Sequence, residues 1–334
     1  MYLMNKAEIS NDWNQYKRLK GIKGKLFSGI LGGVVGDALG VPVEFRQRDS
    51  YIITDMIGYG TYNQPPGTWS DDTSMTVCLI ENIIEGNDLK GLMEKFLLYR
   101  EEGYWTPFGK MFDIGRTTEE AITRYQGGTH FTQCGGASEL DNGNGALMRI
   151  SPLAYTLKDI DQFQKRKDEV ESVVEITHKQ ARSTLGSLIF IEFLIHLLHQ
   201  ENPLAAFDLA VTTIYEELKK DDKYSHEFNS YHRVFDKSII SVDRNQIKSD
   251  GYVVHSLEAA LWCFFKHSNY HDAVLEAVNL GSDTDTIACL TGTIAGIHYG
   301  MDSIPEEWVA QLVKLEDLIN LCERFYHASS QRYF

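Results

Sequence analysis

Glycine recurs every three or four residues along two apolar helical stretches of this chain, and no other pattern constrains its fold as strongly. Gly29, Gly32, Gly33, Gly36 and Gly40 stripe the segment Lys25–Gly40, and Gly292, Gly296 and Gly300 stripe the segment around Asp285–Tyr299, with Ala288 and Ala295 between them. Glycine inside a helix costs up to about 1 kcal/mol relative to alanine, so two such stripes predict helices whose backbones approach closely in a core. Asp37 and Asp285 interrupt them, which argues against bilayer spans. The most apolar run elsewhere, Leu188–Leu198, contains Glu192 and His196 and also suits a core helix.

The remaining periodicity is helical as well. Helices are predicted over Thr73–Glu85, Leu89–Tyr99, Thr117–Arg124, Ser183–His199, Pro203–Leu218, Val253–Phe265 and His271–Asn279, against a short strand-like run at Tyr51–Ile53. Charged stretches at Lys158–Glu171 and Glu216–Glu227 read as surface excursions. No linker or repeat divides the body, so the expected architecture is all-α, a single compact helical domain over residues 25–334, preceded by an N-terminal extension over residues 1–24. Residues 1–23 carry five basic side chains against Glu8 and Asp12, and Ile9, Trp13, Tyr16 and Leu19 fall near one helical face. That leader is either a short helix docked on its own body or a partner-binding arm.

Charge narrows the function. Lys and Arg total 32 against 47 Asp and Glu, a formal charge of −15, which disfavours a nucleic-acid groove or an anionic-membrane patch. Five scattered cysteines without a C-x-x-C pair read as free thiols, and the charged start lacks the apolar run of a signal peptide, so a cytoplasmic location is expected.

Two segments carry the chemistry. Trp69-Ser70-Asp71-Asp72-Thr73 and Gly281-Ser282-Asp283-Thr284-Asp285-Thr286 each place two carboxylates and hydroxyls just before an apolar helix. Helix capping is one reading, because those oxygens accept free backbone N–H groups. Capping needs one acceptor per helix, however, and each segment offers several. Brought together, four carboxylates repel unless protons or cations neutralise them, and hard divalent ions held by carboxylate and hydroxyl oxygens answer that need, as in two-metal sites. A third segment, Asp141–Arg149, closes a loop with six glycines between Gly127 and Gly145. Such a loop either wanders at the surface or turns backbone N–H groups toward an anion. Asp37 is expected to brace the first helix, Arg149 to support the loop through a buried ion pair, and Trp69 and Met148 to pack.

At these residues, from about Lys25 onward, the chain resembles the ADP-ribosylglycohydrolase family. The resemblance rests on Gly32–Glu44 (GGVVGDALGVPVE), Gly67–Met75 (GTWSDDTSM), Asp113–Thr118 (DIGRTT), Asn142–Pro152 (NGNGALMRISP), Thr177–Arg182 (THKQAR) and Asn279–Gly296 (NLGSDTDTIACLTGTIAG), in that order. It implies an all-α fold with a binuclear metal cleft for two divalent ions, Mg2+ or Mn2+. It places Ser70, Asp71 and Asp72 in one ligand group and Asp283, Asp285 and Thr286 in the other. It makes Glu44 and Asp141 the catalytic carboxylates, Asp141 as a base. Gly115, Thr117 and Thr118 become a phosphate-facing turn, Asp141 and Asn144 lie near the distal ribose, Gly145 belongs to the substrate-binding set, and His178 and Tyr252 lie on the substrate side. Ser70 stands where the family often has threonine, Ser282 where glycine is frequent, and Ala181 where proline often precedes the arginine.

The implied reaction is hydrolysis of the bond between ADP-ribose and an arginine of a modified protein. Serine, nucleobase or ester linkages are the competing acceptors. Two rivals remain at this level. One is an HD-type phosphohydrolase using His271-Asp272, for which further histidine ligands lack helical placement. The other is an immunity protein that blocks an ADP-ribosylating toxin by direct binding through its leader.

Overall fold

A computed structural model describes residues 15–200 and 202–331. Eleven helices of ten residues or more carry the described fold: α1 Gly21–Gly40, α2 Asp71–Glu85, α3 Leu89–Glu102, α4 Arg116–Gln126, α5 Phe163–Glu175, α6 Ala181–His199, α7 Pro203–Leu218, α8 Val253–Lys266, α9 Tyr270–Asn279, α10 Thr284–Tyr299 and α11 Leu315–Gln331. Among the described residues the only β pairing is three isolated bridges. Tyr51–Ile53, expected as strand-like, finds no partner strand; the Ile53 N–H donates instead to the Asn279 side chain at 2.8 Å.

The glycine stripes explain the centre of the molecule. α1 and α10 form its most extensive helix pairing. A methyl group added at Gly32, Gly36 or Gly296 would overlap the backbone carbonyl of Gly292, Ala288 or Ser28 respectively, so these positions admit hydrogen only. The hydroxyl of Tyr270, from α9, satisfies the Gly32 carbonyl at 2.6 Å. Both Gly21–Val43 and α6 are long and apolar enough to cross a membrane, but they lie buried inside the fold, where the same composition serves the core. Around the central pair, α11 packs on α2 and α1, while α8, α9 and α6 close the opposite side of α10.

Three sequence expectations change. α1 begins at Gly21, four residues before the predicted start, so the expected boundary at residue 24 falls inside a helix. Lys17 pairs with Glu306 and Lys23 with Glu323, each at 2.8 Å, which ties residues 15–24 to the body. The proposed arm otherwise lies, with Ile9 and Trp13, outside the described residues. The Lys158–Glu171 stretch is largely helix α5, because Phe163, Val170, Val173 and Val174 bury one face. Its charges are accommodated by the buried pair of Arg166 with Glu192, whose Nε and Oε1 are 2.6 Å apart. All five cysteines are buried free thiols.

Candidate active site

The starts of α2 and α10 meet. Ser70 caps α2, its hydroxyl accepting from the Asp72 N–H at 3.3 Å. Asp37, rooted in α1, accepts from the Ser70 N–H at 2.9 Å, the Thr73 N–H at 3.0 Å and the Thr73 hydroxyl at 2.5 Å. Burial raises Asp37 to about 6 against these hydrogen bonds, and its bracing role is as expected. Capping of α2 is therefore complete without the side chains of Asp71 or Asp72. At α10, Asp283 occupies the capping position yet makes no capping bond. The hydroxyl of Thr286 donates to Asp72 Oδ2 at 3.2 Å and joins the two helix starts.

A cleft of about 360 Å³ opens over this junction, and six carboxylates line it: Glu44, Asp71, Asp72, Asp113, Asp283 and Asp285. All six are raised above the ordinary carboxylate range, desolvation being the largest cause in each. Glu44 is pushed up to about 9 by burial and then by Asp113 and Asp283. Oxygens of Glu44, Asp283 and Asp285 approach within 4.8 Å of one another, as the ligands of one cation would. Glu44 Oε2 and Asp72 Oδ1 are buried without a hydrogen-bond donor, so the acids hold spare ligand capacity where negative charge is densest. The donor set, all oxygen with hydroxyls at Ser70 and Thr286, suits a hard divalent cation.

Beside the acids the lining changes character, beginning where the Gly115 N–H donates to Asp71 Oδ2 at 3.3 Å. Gly115, Arg116 and Thr117 present the N-terminal turn of α4, whose capping residue Gly115 supplies no side chain. Gly143, Asn144, Gly145 and His178 complete this wall. Asn144 Nδ2 donates to Asp283 Oδ2 at 2.6 Å and to the Ser256 hydroxyl at 2.8 Å, coupling the loop to α10 and α8. His178 is lowered to about 3, chiefly by burial, and is a neutral imidazole with Nδ1 2.9 Å from the Thr177 hydroxyl. A methyl on Gly145 would press on the Thr118 hydroxyl and the His178 ring, which accounts for glycine there.

Eleven of the fifteen expected site residues thus share one cleft: Glu44, Asp71, Asp72, Gly115, Thr117, Asn144, Gly145, His178, Asp283, Asp285 and Thr286. Ser70, Thr118, Asp141 and Tyr252 stand behind or beside its wall. Asp141 accepts from the Ser138 N–H at 2.9 Å and the Ser138 hydroxyl at 2.6 Å, with Arg116 at 3.3 Å. Burial would raise it, but these partners together hold it below the usual carboxylate range. Tyr252 caps α8 and packs edge-on against His255, ring centroids 4.8 Å apart. Of the six loop glycines only Gly143 and Gly145 reach the cleft. Arg149 corrects another expectation: its guanidinium is buried against the carbonyls of Gly145 and Val173 and the Thr177 hydroxyl, and it pairs with no carboxylate among the described residues.

Asp113, Arg116 and Phe45 line the cleft and were passed over by sequence reasoning, although Asp113 and Arg116 belong to the Asp113–Thr118 motif. His271 and Asp272 are half-exposed at the start of α9, with His271 stacked on Trp308, far from an HD-type ligand set; the described three-ligand group is Glu44, Asp283 and Asp285.

Comparison with known proteins agrees with this architecture. The profile of the ADP-ribosylglycohydrolase family matches residues 19–333. The chain belongs to that family. It is 32% identical over 309 residues to ADP-ribosylarginine hydrolase Tri1 of Serratia proteamaculans, covering 91% of this chain and 80% of the relative. It is 27% identical to the ADP-ribosyl-[dinitrogen reductase] glycohydrolase of Rhodospirillum rubrum, over 85% of this chain and 88% of that one. A solved ADP-ribosylglycohydrolase-related protein complex superposes with a TM-score of 0.78 at 27% identity, covering 93% of this chain and all of the other. The protein is therefore an ADP-ribosylglycohydrolase, and the all-α expectation holds.

Proposed function

We propose that this ADP-ribosylglycohydrolase is a divalent-metal-dependent hydrolase that releases ADP-ribose from arginine side chains of modified proteins. The observation carrying the reading is the convergence of six carboxylates, five of them buried and two with undonated oxygens, in a cleft that a helix N-terminus also lines. Similarity to an ADP-ribosylarginine hydrolase over most of both chains supports arginine as the acceptor. Asp71, Asp72 and Ser70 would hold cations from α2, and Asp283, Asp285 and Thr286 from the start of α10. Bound cations supply Lewis acidity toward the ribose hydroxyls and a more acidic water.

The chain's own residues divide the remaining work. The uncapped turn of α4, with Arg116, receives the pyrophosphate through backbone N–H groups and positive charge. Neutral His178 and Asn144 bound the distal ribose. Glu44 takes a proton from the attacking water as its oxygen bonds to C1 and the C1–N bond breaks, and the same proton returns to the departing guanidine nitrogen. Glu44 suits this role better than Asp141, because it lines the cleft and has one undonated oxygen, while Asp141 is committed to Ser138 and Arg116. Asp141 then positions the loop.

Incubation with peptides ADP-ribosylated on arginine or on serine, with Mg2+, Mn2+ or chelator, tests the proposal by mass spectrometry. Free ADP-ribose and unmodified arginine should appear with metal and vanish with chelator. Release from serine alone, or release indifferent to chelator, rejects it.

A further inference from the structure

The cleft has one aromatic side chain among its described lining residues, Phe45, and it sits where a core-forming residue has no reason to be. Its ring is 68% exposed. Its backbone is left-handed, with φ of 62°, a conformation that costs a bulky L-residue roughly 1–2 kcal/mol. That conformation is fastened by a hydrogen bond from the Phe45 N–H to the Ser282 carbonyl at 2.6 Å, and the Ser282 N–H donates back to Arg46 at 2.8 Å. Behind Phe45 its ring meets Tyr62 edge-on at 6.4 Å, and Tyr62 leans on Phe112 at 5.0 Å, so the exposed ring is supported. Strain and exposure combined at a cleft mouth are retained where a ligand uses them.

The polarity of the cleft says which ligand part arrives there. Arg116 and the α4 N-terminus draw an anion to the Asp71 side of the acids, where the Gly115 N–H donates to Asp71 Oδ2 at 3.3 Å. Phe45 lies on the Glu44 and Asp283 side, next in sequence to Glu44 and hydrogen-bonded to the residue before Asp283. A substrate with its pyrophosphate at α4 and its C1 over the acids therefore carries the acceptor side chain past Phe45. Resting on the proposed hydrolase activity, the geometry points to Phe45 as the acceptor-side specificity residue: its ring is the platform for the guanidinium of the ADP-ribosylated arginine. The glycosylated guanidinium is planar and cationic, and it gains from an aromatic face and from nearby carboxylates, whereas a serine oxygen gains neither.

The test compares wild type with Phe45→Ala, Phe45→Leu, Phe45→Tyr and Phe45→Trp, on an ADP-ribosylarginine peptide with Mg2+ and in calorimetric titrations with ADP-ribose. Phe45→Ala and Phe45→Leu should raise KM about five- to twentyfold with kcat changed less than threefold, while ADP-ribose affinity stays within twofold. Phe45→Tyr and Phe45→Trp should restore wild-type KM. Leucine substituting fully for phenylalanine overturns the proposal, because it would show apolar bulk alone at work. An equal loss of ADP-ribose affinity also overturns it, by placing the ring on the nucleotide. A wild-type enzyme that leaves the arginine linkage intact rejects the proposed function itself, and the platform falls with it; a wild type active on arginine with unaffected variants rejects the platform alone.

Discussion

Glu44 and Asp141 illustrate how surroundings sort chemically identical side chains. Both are expected from the sequence to be catalytic, with only Asp141 as a base, yet Glu44 ends the turn after α1, lining the cleft with one oxygen undonated, and Asp141 is bonded on both oxygens. Glu44→Gln should lower kcat by at least about a hundredfold while keeping ADP-ribose affinity, and Asp141→Asn should lower it less than tenfold; steady-state kinetics with calorimetry separates the two, and the reverse order would return proton transfer to Asp141. Ser282 gives a stability prediction. It stands where the family often has glycine, and its φ of 67° is the reason glycine suits that position. Ser282→Gly should raise unfolding free energy by up to about 1 kcal/mol in urea titrations, strain relief outweighing added chain entropy. At this scale the cleft acids of α2 and α10 are legible in the sequence, because paired carboxylates exceed what capping requires. Asp113 is less so: a lone acid before a glycine looks like an ordinary helix entry, and only folding shows it beside Asp71. Arg149 resists reading for the same reason, since a sequence does not reveal that carbonyls will serve in place of a carboxylate.

Helices are the most legible layer. Pro203–Leu218 matches its predicted span, and several others differ by only a residue or two at each end. α5 escapes because the aliphatic stems of Arg166 and Lys167 help cover its buried face while their charges find Glu192, Glu171 and Asp221, so a charged stretch does not mean an exposed one. α11 repeats apolar residues at Leu318, Leu321, Cys322 and Phe325 among many polar ones, and its place is evident only once α1 and α2 present a surface to it. The α1–α10 contact yields the prediction belonging to this scale. Gly36→Ala and Gly40→Ala drive a methyl into the backbone at Ala288 and Asp285. Each should cost about 1–3 kcal/mol in thermal unfolding, and Gly40→Ala, nearer the acids, should also weaken Mn2+ binding in calorimetry. An alanine at either position without loss of stability would mean the helices do not meet as closely as described.

Across the whole molecule, the charge gathered in the cleft links stability to pH and metal. A carboxyl such as Glu44, raised from 4.5 to about 9 on folding, binds its proton more tightly in the folded state, so it contributes stability at acid pH that is lost as pH rises through that window. Metal-free protein should therefore lose melting temperature between pH 5 and pH 8.5, and added Mn2+ should stabilise more at pH 8.5 than at pH 5, with protons released on binding. Scanning fluorimetry in chelator and in Mn2+ reads this directly; a metal shift that shrinks with rising pH would contradict it. One consequence reaches further. Asp37 fastens the start of α2 to α1, the hydroxyl of Thr284 fastens the start of α10 to the Gly40 carbonyl at 2.8 Å, and Glu44 follows α1 after a single turn. A helix that contributes no cleft-lining side chain is thereby the gauge block of the centre, setting how far apart its charges stand. Fine adjustment of the spacing between the two acidic helix starts is then open to substitutions buried along α1, with the whole reactive surface left untouched.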